Sequence, residues 1–338
     1  MKKFLAFCFL ISSFYTSIAQ EQDAKKLYAT AKDFMRQGDY DNATLVFENA
    51  IKAEPNNLDM LKDFAFLNFL KRDFAKSIEI SKTLIERVDA DEQCFQMLGM
   101  TYKAIAEYKE CNKLYKRGLK KFPTSGVLYN DFGELLAIQK DMNAAIEQWE
   151  NGIELSPNYS SNYFNAANYY ARTNNFFKVI IYGELFINLE SYTARTADTK
   201  ALLLESYKKL FTADVFDKLS SDKNNSAFEK LFFATLDKSK SIAAAGITAE
   251  NLTAIRTSFV LNWFHEKNNL KFPFRLFDHQ QYLLREGLFD AYNQWIFGAA
   301  TSPSAYQTWI QTHDKQAADF KLFQQSRVFK IPSGQYYR

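Results

Sequence analysis

Residues 126–159 read GVLYNDFGELLAIQKDMNAAIEQWENGIELSPNY. Apolar and small residues recur here at helical spacing, first as Tyr129, Phe132, Gly133 and Leu136, then as Met142, Ala145, Trp149 and Gly152. Pro157 closes the second run, because proline cannot continue an intrahelical hydrogen-bond ladder. The stretch predicts two antiparallel helices that approach closely where both carry small residues.

The same pattern returns every 34 residues, in blocks that begin at Ala24, Leu58, Glu92, Gly126 and Ser160 and run to Thr193. Small residues fill the eighth place of each block (Ala31, Ala65, Gly99, Gly133, Ala167), and the twentieth carries Ala43, Ser77, Cys111, Ala145 and Val179. Block one adds Gly38-Asp39-Tyr40, Phe47, Ala50 and Pro55; block three adds Phe95, Leu98, Tyr102, Tyr108, Tyr115, Gly118 and Pro123. Blocks two and five depart from the pattern, with Asp89 and Ser191 at the proline place and Ser81 and Gly183 at an aromatic place.

This combination resembles the tetratricopeptide-repeat (TPR) signature, in which an aromatic, Leu-Gly and Tyr on one helix are followed by Ala, Phe, Ala and Pro on the next. The resemblance implies an all-α, TPR-type helical-hairpin solenoid of about five repeats over residues 20–211. The helix at Ala197–Phe211 caps it, since a solenoid's last repeat has no neighbour. It also implies a concave groove lined by places 2, 5, 9, 12 and 13 of each block.

Carried onto this chain, those places give Lys25, Tyr28, Lys32 and Arg36 as a basic entrance, and Phe66, Phe69 and Met100 as an apolar centre. Asn130, Asn168 and Arg172 form an amide-bearing far end. Exposed Phe66 and Phe69 would each forfeit ~1.5–3 kcal/mol of burial, so a partner or the chain's own C-terminal region is expected to cover them. The cations Lys116, Arg117, Lys120 and Lys121 stand at the end of a second helix, where they offset its dipole as a solvated helix end, the alternative being a basic docking patch.

The N-terminus reads as a signal peptide over residues 1–19. Lys2 and Lys3 supply positive charge, Phe4 to Ile11 the apolar core, and Ser17-Ile18-Ala19 a cleavage box. The apolar stretch is shorter than the ~20 residues a spanning helix needs, so cleavage is expected to leave no transmembrane span. Export to the periplasm or the exterior follows. Cleavage would take two of the 42 basic side chains and no acid, leaving near balance with 39 acidic ones, which argues against a nucleic-acid partner. Cys94 and Cys111 fall at places too far apart along antiparallel helices for a bridge and are expected as reduced core residues.

Past Thr212 the register fades into a helical, aromatic-rich module over residues 212–338. Helices are expected at about 226–237, 248–267, 278–297, 303–312 and 315–329, with Ser302-Pro303 as an N-cap followed by proline. All three histidines, His265, His279 and His313, lie there, without the i,i+4 pairing of a zinc helix. No G-x-S-x-G elbow, phosphate loop or CxxC accompanies them, so no catalytic residue, metal or cofactor is expected.

The expected function is a non-catalytic scaffold or adaptor of the cell envelope that holds a protein or peptide segment in the groove. The alternatives are a C-terminal hydrolase or carbohydrate-binding unit tethered by the repeats, and a purely structural subunit.

Overall fold

A computed structural model describes residues 22–337, which are helical with no β-strand among them. The signal-peptide segment lies outside the described residues. The chain divides into two compact units, one ending at Pro123 and one beginning at Thr124. The division at 211/212 expected from sequence marks something different, the end of the 34-residue register.

The first unit holds three helical hairpins: α1 (22–37) with α2 (Tyr40–Ala53), α3 (Leu58–Leu70) with α4 (Phe74–Ile85), and α5 (Glu92–Ala104) with α6 (Tyr108–Lys121). The second unit opens with two more, α7 (Gly126–Ile138) with α8 (Met142–Leu155), and α9 (Ser160–Arg172) with α10 (Phe176–Leu189). These are the TPR-type hairpins, at the expected period.

Close packing explains the small residues. Ala31, Ala65 and Ala167 at place 8 and Ala43, Ser77, Cys111, Ala145 and Val179 at place 20 are fully buried. Where place 8 is glycine, a large ring from the second helix lies against it. A Cβ on Gly99 would collide with Tyr115, and one on Gly133 with Trp149. Cys94 and Cys111 are both buried and form no disulfide, as expected.

Each hairpin turns the same way. Place 15 is left-handed in all five, at Gly38 (φ 80), Arg72 (φ 63), Ala106 (φ 59), Lys140 (φ 66) and Asn174 (φ 61). The next residue's N–H then closes onto a carbonyl near the end of the first helix, as in Asp73 N to Asn68 O (2.9 Å) and Asp141 N to Leu136 O (3.0 Å). That next residue also caps the second helix. The Asp39, Asp73, Asp141 and Asn175 side chains accept from a backbone N–H three residues on, whereas Glu107 makes no such bond. Its extra methylene misplaces the carboxylate for capping.

In the second unit α11 (Ala194–Leu210) follows the fifth hairpin, close to the capping helix expected from sequence. After it come α12 (Ala213–Ser220), α13 (Ala227–Asp237), α14 (Lys240–Ala243), α15 (Ala249–His265), α16 (Asn268–Lys271), α17 (Arg275–Arg285) and α18 (Phe289–Asn293). A π-helical turn, Gln294–Gly298, leads to α19 (Ala299–Thr301), α20 (Pro303–Thr312) and α21 (Asp314–Ser326). The single helix expected over 278–297 is broken between α17 and α18, where Gly287 takes φ +70. Ser302 caps α20 by accepting from Ala305 N, with proline in the first turn as expected.

This module packs on α10, where every residue from Phe176 to Asn188 except Lys178 is buried. Phe177 meets Phe232 (4.8 Å between centroids) and Phe233 (5.6 Å). Glu184 accepts from Gln280 Nε2 (2.7 Å) and Tyr292 OH (2.8 Å) and pairs with the buried Arg256 guanidinium. Asn188 donates to Tyr292 OH (2.7 Å) and accepts from Arg327 (2.7 Å). The last residues strap the module down. Asn158 brackets the backbone of Ile331, donating to its carbonyl (3.0 Å) and accepting from its N–H (2.8 Å).

Candidate functional site: the inner faces of the first helices

In the first unit, two of the side chains expected to form a basic entrance, Tyr28 and Lys32, are engaged by the neighbouring hairpin. Tyr28 OH donates to Asp63 (2.6 Å), Lys32 pairs with the same carboxylate (3.2 Å), and Arg36 pairs with Asp33. Burial and the Asp63 carboxylate push the Tyr28 hydroxyl well above its ordinary pKa. One hairpin further on, Lys62 bonds Asp91 (2.6 Å) and Asp59 (2.9 Å). Burial pulls its pKa down, and the two carboxylates more than reverse this. Tyr28, Lys32 and Lys62 thus tie neighbouring hairpins together, with Lys25 and Arg36 exposed at the edge. Asp63 is the residue sequence reasoning missed, because it sits at place 6, outside the five groove places.

Phe66 and Phe69 are half-buried and stack on each other (6.2 Å), and Phe69 also meets Phe74 (5.7 Å). Much of the area expected to need a cover is thus shared among rings of one hairpin. Met100 is half-buried.

The second unit holds an open cleft of ≈ 410 Å³ between α7 and α9. Glu134, Ala137 and Ile138 line it from α7, and Asn165, Asn168, Tyr169 and Arg172 from α9, over Met142 and Trp149 of α8. Five of these, Glu134, Ala137, Ile138, Asn168 and Arg172, stand at the groove places of their blocks.

Asn130 belongs to the wall rather than the opening. It is 3% exposed, donates to Glu134 (3.0 Å) and accepts from Asn165 (2.8 Å). Asn168 donates to Phe164 O one turn back (2.8 Å), which leaves its carbonyl oxygen without a partner among the described residues. Arg172 is exposed and makes no ion pair among them. The cleft thus offers an amide acceptor, a carboxylate, a guanidinium and an apolar floor, suited to an extended polar segment.

The histidines do not assemble a site. His279 is buried between Tyr292, Phe323 and Phe329, while His265 and His313 are exposed. Burial, with Arg327 and Arg275 nearby, pushes the His279 pKa down to about 2, so the ring is neutral. No group of three His, Cys, Asp or Glu suited to a metal ion occurs among the described residues, and no helix among them is long and apolar enough to cross a membrane. Trp263 is fully buried, and Trp295 and Trp309 are half-buried.

No family model and no curated relative matches the chain. Among solved structures it is similar to TTC0263, a thermophilic TPR protein of Thermus thermophilus, at 16% identity over 54% of this chain and 99% of that one, with a TM-score of 0.45. It is similar to PilF of Pseudomonas aeruginosa at 14% identity over 64% of this chain and 99% of that one, with a TM-score of 0.47. YrrB, a TPR protein with an unusual peptide-binding site, matches at 16% identity over 53% of this chain and 92% of that one, with a TM-score of 0.36.

Proposed function

We propose that the chain is an exported, non-catalytic adaptor of the cell envelope that holds an extended segment of a partner protein against the inner faces of its first helices. The open cleft between α7 and α9 carries this reading, because side chains placed in the groove by repeat position alone line a cavity of ≈ 410 Å³. A cavity of that size takes two or three side chains of an extended peptide. Trp149 and Met142 give apolar contact, and the Asn168 carbonyl can accept a main-chain N–H. Arg172 favours an acidic residue at the cleft's edge.

A photo-cross-linker at Ile138 in the full chain, expressed in cells, is expected to capture a defined protein. Asn168→Ala with Arg172→Glu should reduce that capture about tenfold while leaving thermal unfolding within ~1 kcal/mol of wild type. Undiminished capture by the folded double variant would place the contact elsewhere. Export is tested separately by sequencing the N-terminus of the mature protein, expected to start at Gln20.

A further inference from the structure

We propose that the outer face of α6 and the cleft beside it form a second docking site, built for an acidic helical segment of a partner protein. This site lies on the side of the hairpin formed by its second helix and does not depend on the groove reading above.

Lys109, Lys113, Lys116 and Lys120 recur at intervals of four, three and four, which puts all four on one stripe of α6, about 16 Å long. All four are exposed, and so are Arg117 and Lys121. The helix dipole accounts only for the cations of the last turns. Lys109 stands in the first turn, where a cation opposes the dipole, and the 109/113 and 116/120 pairs repel at i,i+4. The stripe therefore works against the isolated helix, and a role outside it is the economical explanation.

Beside the stripe lies a cleft of ≈ 360 Å³ between α4 and α6. Ile85, Leu98, Tyr102 and Leu114 supply its apolar surface, and Lys113 and Arg117 belong to both cleft and helix. Two carboxylates stand at this edge, and each is already taken. Glu86 receives a bidentate bond from Arg117 (2.6 and 2.7 Å), and Glu110 pairs with Lys113 (2.8 Å). Lys113, Lys109 and Lys82 all hold the Glu110 carboxyl below its ordinary pKa, so the acid is outnumbered. Lys109 acts on Glu110 only at a distance, and Lys109, Lys116 and Lys120 form no ion pair within 4.0 Å among the described residues.

The same chain shows what this face of a second helix can carry. The four lysines occupy places 18, 22, 25 and 29 of their block, and on α10 those places are Phe177, Ile181, Glu184 and Asn188. There they are covered by helices, with Glu184 paired to Arg256 and Phe177 set among phenylalanines of α13. On α6 the chemistry is inverted to cations around an apolar notch. The matching occupant is an amphipathic helix with carboxylates at the same spacing and one Leu- or Phe-sized side chain for the cleft.

The test uses the full chain and a fluorescein-labelled helical peptide with Glu at i, i+4, i+7 and i+11 and one Leu on the same side, followed by fluorescence anisotropy at physiological ionic strength. A scrambled peptide of identical composition, a Leu→Ala peptide and phosphatidylglycerol vesicles are run beside it. The patterned peptide should bind about tenfold more tightly than the scrambled one, and the Leu→Ala peptide should fall between them. Lys109→Glu with Lys116→Glu should abolish the preference. Lys109→Gln with Lys116→Gln, which keeps helix propensity without reversing charge, should weaken it by a smaller factor. Equal binding of patterned and scrambled peptides, or wild-type affinity in the folded Glu variant, overturns the proposal. So does binding of vesicles in preference to the peptide, which would make the stripe a membrane contact.

Discussion

Helices α6 and α10 hold the same position in their repeats and share little else. One reads YKECNKLYKRGLKK and the other FFKVIIYGELFINL. Their inward places agree, since Cys111 and Val179 at place 20 are both fully buried. Their outward places have opposite surroundings, water over the lysines and a helical module over Phe177, Ile181, Glu184 and Asn188. The repeat thus constrains only the stripe of a second helix that faces its own hairpin. The remaining face is free to carry either solvent-facing charge or a second core.

The most severe way to break this contrast is at place 25. Glu184→Ala strands Arg256 inside the module, and an uncompensated buried charge costs about 3–5 kcal/mol. Lys116→Ala, at the same place of α6, should change stability by less than about 0.5 kcal/mol. Urea unfolding of the full chain measures both. Because a buried ion pair often roughly breaks even against apolar packing, Glu184→Leu with Arg256→Met should recover most of the loss. Failure of that rescue would mean that the wider network through Gln280, Asn188 and Tyr292 needs the pair itself. Exchanging residues at place 22 gives a milder version. Ile181→Lys should cost about 3 kcal/mol for a charge buried without a partner, and Lys113→Ile should stay within about 0.5 kcal/mol.

Acidification probes the covered face without a substitution. His279 on α17 is neutral in the fold, its pKa pushed down to about 2, whereas the unfolded chain titrates near the ordinary value of 6.5. Between these values the unfolded state holds the extra proton, so stability is lost as pH falls below about 6.5, by roughly 1.4 kcal/mol per unit. From pH 7 to pH 5 this amounts to about 2 kcal/mol. His279→Leu should remove that part of the slope whatever it does to stability at pH 7. The Nε2 atom has no hydrogen-bond partner among the described residues, so its removal strands no neighbour on that side. An unchanged slope in the variant would assign the acid sensitivity to other groups.

The hairpins were legible in the sequence because close packing restricts places 8 and 20 in every block, and restriction at a fixed period is what a repeat pattern records. The outward face lacked such a rule. The high apolar content of α10, interrupted only by Lys178, Glu184 and Asn188, was a readable sign that more than one of its faces is covered. Its polar partner was not readable, since Arg256 lies 72 residues from Glu184 and no local spacing joins them. In the groove, carrying over five places found half of the α7–α9 cleft lining, yet it placed Lys32 in the opening without the Asp63 that engages it. Asn130 likewise sat at a groove place while its amide bonds turned it into wall. Gly287 did stand in the sequence as a break within the helix expected over 278–297.

The turn at place 15 was visible only at Gly38, because the other four blocks fill a left-handed position with Arg, Ala, Lys and Asn. That discrepancy supports the smallest of the expected effects. A left-handed backbone costs an L-residue about 1–2 kcal/mol, and glycine returns part of this gain through its greater freedom when unfolded. Ala106→Gly and Lys140→Gly should therefore stabilise by about 0.5–1 kcal/mol each, with Asn174→Gly gaining least because asparagine tolerates the conformation. Ala106 and Lys140 are exposed, so no packing is lost. The two stand in different hairpins, Ala106 before α6 and Lys140 before α8. Equal gains would mean that the turn is set by the hairpin alone. A gain at one and a loss at the other would show that the turn answers to what lies outside the repeat.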